Sequence, residues 1–209
     1  MIVMLDGQQI GEAAGVASAL ELGREAAEAR QRIIIEVNAA GSPIDPALID
    51  SPPADDAGLG ELDLRSAEPG LFVRETLLDA LPLVDEIGGE QGRAAEMIQS
   101  GDLAKAFEPL QRAVSSWMVL QELIDKACQL TGTDLTSVTL AGERTGADWA
   151  GTLARELAGV RDAIGGEDWG GLSDALAYDM DALLDESRGL LTTLADAHKP
   201  GDRQPSAGG

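Results

Sequence analysis

The apolar residues of this chain change period once, at Pro69, and that change limits the folds open to it. Glu61-Leu62-Asp63-Leu64-Arg65 alternates polar and apolar, as a strand with one wet face does. Beyond Pro69 the apolar residues recur every three or four positions as far as His198, which is helical spacing. Strands followed by a long run of helices imply an α+β chain. The expected organisation is a small mixed α/β domain over 1–68, a helical domain over 69–198 and a disordered tail over 199–209. The tail expectation rests on its Gly, Pro and Ser content.

Within the first region, Met1 to Leu5 predicts a buried strand. Asp6-Gly7 is a strong hairpin signal, with Gln8-Gln9-Ile10 as the return strand. Five apolar residues stopped by Asp6-Gly7 do not make a signal peptide, so a cytoplasmic location is the expectation. Val16, Leu20, Gly23 and Ala27 form one helical stripe. Ile33-Ile34-Ile35-Glu36-Val37, rich in β-branched residues, predicts a central strand. A turn follows over Asn38 to Pro43, then a short helical turn at Leu48-Ile49 and a loop over Ser51 to Gly60. This order of elements resembles the β-grasp, or ubiquitin-like, fold. The resemblance implies a mixed sheet packed on one helix.

The second region predicts four helices in an antiparallel bundle. The first carries Leu77, Leu81 and Val84 and is expected to kink or break near 82–92, at Pro82, Gly88, Gly89 and Gly92. Gly101-Asp102 predicts a stop and a new cap, followed by a stripe from Leu103 through Trp117 to Cys128. Pro109 is expected to bend that helix, and Thr131-Gly132 to end it. A polar connection with an extended patch at Val138-Thr139-Leu140 leads to a helix carrying Trp149, Leu153, Leu157 and Val160. After Gly165-Gly166, Asp168 caps a last helix carrying Trp169, Leu172, Leu176, Met180 and Leu183.

Charge excludes several partners. Thirty-seven acids against 15 bases give −22, spread over both regions. Such a chain repels phosphate backbones and anionic membrane surfaces, so neither nucleic acid nor membrane is expected as a partner. Twelve of the 15 bases are arginine, and solubility is the simpler account of the acidity.

Little catalytic chemistry is available. One histidine (His198, at a helix end) and one cysteine (Cys128, on an apolar stripe) exclude zinc ribbons, di-iron Glu-x-x-His pairs and a Cys–His nucleophile. No phosphate-binding glycine loop and no G-x-S-x-G elbow is present. The best carboxylate group is Asp174, Asp181 and Asp185 beside Tyr178, which has the oxygens for a divalent cation but reads more simply as a solvated helix face. The expected catalytic residues, metal ligands and cofactors are therefore none. Trp117, Trp149 and Trp169 fall on core stripes, with Trp149 and Trp169 near helix starts where half-exposure is open to them. The terminal Gly208-Gly209 matches the ending of ubiquitin-like proteins, but follows a long helical region rather than a sheet.

Asp168-Trp169, Leu172, Asp174, Leu176, Tyr178 and Asp179 together resemble small uncharacterised bacterial proteins with a strand-rich start and a helical bundle. Residues 70–198 also resemble flagellar export chaperones of the four-helix type in helix length and acidity. The resemblance implies an adaptor or chaperone-like module that binds another protein through the bundle, with a homo-oligomer as a further possibility. The candidate partner-binding residues are Leu81, Val84 and Ile87, exposed where the interrupted first helix opens, with Trp149 and Trp169 at the starts of their own helices. The alternative is a carboxylate-based metal-binding or enzymatic bundle.

Overall fold

The computed structural model describes residues 1–200. The chain is α+β and divides into two compact units, Met1–Phe72 and the residues from Val73 onward. The expected disordered tail lies, from Gly201 on, outside the described residues, as do Gly208 and Gly209.

The first unit holds five strands: β1 (Ile2–Leu5), β2 (Gln8–Glu12), β3 (Ile33–Ala39), β4 (Ser42–Pro43) and β5 (Glu61–Ala67). They form one mixed sheet in the order β2-β1-β5-β3-β4. The β1–β5 pair is parallel, and the others are antiparallel. Asp6 and Gly7 both take positive φ (50° and 77°), the conformation a tight two-residue hairpin needs. Period-2 alternation puts Val3 and Leu5 of β1 beside Leu62 and Leu64 of β5, all fully buried. Helix α1 (Val16–Glu28) covers them with Val16, Ala19, Gly23 and Ala27.

The contact between α1 and the sheet depends on small residues. A Cβ at Gly23 would lie 2.0 Å from Leu64 Cδ1. Gly15, just before the helix, has ordinary extended backbone, so its requirement is space. A Cβ there would lie 1.9 Å from the Ala54 carbonyl oxygen. The loop pressing on it accepts hydrogen bonds from the first helical amides: Val16 N–H to Asp55 O (2.9 Å) and Ala17 N–H to Pro53 O (3.1 Å). The loop thus caps α1 by its backbone. A short helix, α2 (Pro46–Asp50), precedes it and is capped by the Asp45 carboxylate on the Ala47 amide.

From Pro69 the chain forms α3 (Pro69–Asp79), α4 (Leu81–Gln99), α5 (Leu103–Thr131), α6 (Gly146–Gly165), α7 (Trp169–Asp174) and α8 (Met180–Asp196). One π-helical turn (Ala175–Asp179) joins α7 to α8. Helix α4 packs on α5, α7 and α8, and α6 packs on α7 and α8.

Local details correct several expectations. The first break falls at Ala80, not within 82–92. Pro82 stands in the first turn of α4, where its missing N–H has no intrahelical partner to lose. Gly88, Gly89 and Gly92 lie inside an unbroken α4; a Cβ at Gly88 would meet Leu184 Cδ1 at 2.9 Å. Helix α5 continues through Pro109 and ends at Gly132, which takes the left-handed conformation (φ 67°). Asp168 caps α7 through the Gly171 amide. Asp102 stands at the N-cap of α5, but its side chain makes no cap bond and its carboxylate pairs instead with Lys105 Nζ at 2.6 Å. The patch at Val138-Thr139-Leu140 forms a single antiparallel bridge, Thr139 to Thr145.

Two tryptophans centre the helical core. Trp117 and Trp149 are fully buried. Each indole N–H has a buried acceptor: Gln91 Oε1 at 3.3 Å for Trp117, and Ser187 Oγ at 3.0 Å for Trp149. Trp117→Ala should cost about 3–5 kcal/mol in urea unfolding of the helical unit. Gly15→Ala must displace the 53–55 loop and should cost about 1–3 kcal/mol, read as a lowered midpoint for the first unit.

Candidate functional site

The β-branched run of β3 makes a good strand but an incompletely covered one. Strand β5 pairs with it on one side over Ile33 to Asn38. On the other side β4 has only two residues, pairing with Asn38 and Ala39, and the Ile44 amide reaches Val37 O at 3.1 Å. Pro43 has no N–H to extend β4, and Pro46 opens α2. Among the described residues, no strand lies beyond Ile33–Glu36 on that side. The expected central strand is therefore central only in its second half and an edge in its first.

A groove runs along this edge. Leu20, Arg24, Ala27 and Glu28 of α1, with Ile49 of α2, face Arg32 and Ile33–Val37 across a cavity of about 470 Å³. Ile34 and Val37 pack on the core beneath. Ile35 and Ile49 are each 43% exposed. The register of β3 against β5 shifts between Ile34 and Glu36, so Ile35 is the extra residue of a bulge. The rim carries both signs: Arg24 and Arg32 with Glu28 and Glu36.

The start of β3 is fixed by a three-residue polar knot. Arg32 donates from Nε to Ser66 Oγ and from Nη2 to Ser66 O, each at 2.6 Å. Ser66 in turn donates its amide to Asp6 Oδ1 (2.8 Å) and its hydroxyl to Asp6 Oδ2 (2.6 Å). The β1–β2 turn, the end of β5 and the entry to β3 are thereby tied together. At the other end of the exposed stretch, Glu36 accepts from Asn38 Nδ2 (2.9 Å) and lies 3.5 Å from Arg65.

The five candidates in the helical unit are not gathered on an open face. Val84, Ile87 and Trp149 are fully buried, so a partner reaches them only if α4 or α6 moves. Leu81 is half-buried against the same core. Trp169 is half-buried, its ring edge-on to Phe107 at 6.1 Å. Asp174, Asp181 and Asp185 do not converge: among the described residues no three His, Cys, Asp or Glu side chains are grouped to hold an ion. Tyr178 is 71% exposed on the π-helical turn. Cys128 is buried; desolvation, then Asp125 and Asp134, push its thiol pKa up, away from nucleophilic use.

A larger cleft, about 820 Å³, lies between α4 and α5. Four of its five charged side chains pair with one another: Arg112 with Glu90 (3.0 Å) and Glu108 (2.5 Å), and Arg93 with Glu90. Its lining residues are polar or charged apart from Gly89, whereas the β3 groove is lined by Leu20, Ala27, Ile33, Ile34, Ile35 and Ile49. Among the described residues, no helix is long and apolar enough to cross a membrane.

Sequence reasoning missed the β3 edge, although Ser42-Pro43 and Asp45-Pro46 carried the signal. Two prolines so soon after the turn leave no room for a full neighbouring strand.

The polar knot makes a pH prediction. Partial burial works to raise the Asp6 carboxyl pKa. The Ser66 hydroxyl and amide, with Arg32 and Arg30, outweigh it and hold the group below its ordinary 3.8. A depressed carboxyl stabilises the fold above its unfolded pKa, and the contribution is lost as pH falls through the lower folded value. Asp6→Asn should therefore cost about 1 kcal/mol near neutral pH. In denaturant melts that gap should close below about pH 4. Comparison of the chain with protein-family models, curated proteins and solved structures finds no match.

Proposed function

We propose that this protein is a non-catalytic protein-interaction module whose docking site is the free edge of β3 with the α1 groove beside it. The occupant is an extended segment that adds to the sheet as a strand. One observation carries the reading: Ile33–Glu36 combines an unpaired backbone edge with an apolar groove at the same place. Backbone groups on an open edge supply affinity, and the groove supplies side-chain selectivity. An apolar open edge is otherwise a hazard that sequences remove with charge or cover. Here Arg32 and Glu36 bracket it, but Ile33, Ile34 and Ile35 occupy it.

In this reading the first unit is a β-grasp domain. The order β2-β1-β5-β3-β4, the central parallel β1–β5 pair and the crossing α1 support that assignment. The helical unit is taken as an antiparallel bundle elaborated from four helices. The short turns between α4 and α5, and between α6 and α7, support this. Partner binding is placed on the first unit rather than on the bundle because Val84, Ile87 and Trp149 are sealed in the core. A cytoplasmic setting belongs to the same reading, since the lone Cys128 is free.

Selection from a displayed library of random linear peptides tests the reading. Peptides with alternating apolar residues should be enriched, and binding should fall at least about tenfold in Ile35→Lys, which places a charge on the edge without touching the core. No enrichment, or equal binding by the variant, would count against the site.

A further inference from the structure

We infer that the extended segment docking on β3 is the β3 edge of a second copy of this chain, added antiparallel. The inference rests on the docking reading above and names the occupant.

Three observations point to self-pairing. The open stretch is itself a short apolar strand, so a second copy presents the same unpaired backbone and the same isoleucines that the groove takes. Its ends carry opposite charges, Arg32 before Ile33 and Glu36 after Ile35. In an antiparallel approach the Arg32 end of each strand meets the Glu36 end of the other. A parallel approach would set like charges together, which disfavours it. Both end groups remain available: the Arg32 and Glu36 side chains are 37% and 41% exposed while they bond to Ser66, Asn38 and Arg65. The rim repeats the pattern, with Arg24 (60% exposed) and Glu28 (68% exposed) on α1. A two-fold axis through the edge matches a surface of mixed sign with itself, as an isologous dimer requires.

The association is weak by construction. Only four residues of edge are open in each copy, and each chain carries −22. Sedimentation velocity at about 0.15 M salt, where the screening length is about 8 Å, should show monomer at low micromolar protein. A dimer should grow in at hundreds of micromolar.

Ile35→Lys should abolish the dimer, with circular dichroism unchanged because Ile35 is exposed. Glu36→Lys makes both strand ends positive and should weaken association about tenfold. A wild-type protein that stays monomeric at every concentration overturns the inference, as does a dimer that neither substitution affects. The docking reading is scored separately. If the wild type is monomeric yet binds displayed linear peptides that Ile35→Lys rejects, self-pairing falls and docking stands. If it is monomeric and enriches no peptide, both fall.

Discussion

The close approach of α1 to the sheet is the constraint from which the first unit follows. One helix has to cover the buried faces of β1 and β5, and it gets near enough because Gly23 carries no Cβ to meet Leu64. That closeness seats Val3, Leu5, Leu62 and Leu64 in a dry layer with Ala19 and Ala27. It also brings the N-terminus of α1 under the 53–55 loop, whose carbonyls take its first amides across Gly15. The helix is thus held at its start by backbone and at its middle by contact. Its last turns stand over β3, whose outer neighbour β4 stops at Pro43. The groove is what remains between a helix that reaches that far and a strand that does not.

The helical unit solves a different problem. The chain has few aromatics, 3% of its residues, and uses two of its three tryptophans at the centre of this core. A buried indole N–H needs an acceptor. Gln91 on α4 and Ser187 on α8 provide one each, so these core helices are joined by directional bonds as well as by packing. Such bonds set the facing of α4 against α5 and of α6 against α8. The many surface ion pairs, such as Lys126 with Glu122, are exposed and add little. In this unit acidity is a property of the surface, and the structure is set beneath it.

Much of this was legible in the residues, and the reasons for the rest are specific. Alternation at Leu62 and Leu64, the Asp6-Gly7 turn and the stripe from Val16 to Ala27 are local signals, and each element stands where its signal lies. Helix ends marked by glycine, as at Gly132, are local too. Pro82 was misread because the same residue that interrupts a helix interior also opens one, and periodicity does not tell the two apart. Asp102 sits where a cap should, but Lys105 three residues on competes for its carboxylate. The β3 edge was invisible to periodicity because strand neighbours are set by long-range pairing, with β1 and β5 meeting across some 60 residues. The candidates Leu81, Val84 and Ile87 followed from an expected interruption within α4; the helix is continuous there and packs on α5, α7 and α8, with Val84 and Ile87 buried.

Amide hydrogen exchange along β3 tests the central claim most directly. If Ile33–Glu36 is an open docking edge, the amides of that stretch that point away from β5 should exchange fast in dilute protein, while those that point to β5, with the ladder amides of β1 and β5, stay protected. Raising the protein concentration should then slow exchange in Ile33–Glu36 selectively. Slow exchange through that stretch already in dilute protein, or exchange indifferent to concentration and to selected peptides, would contradict the account.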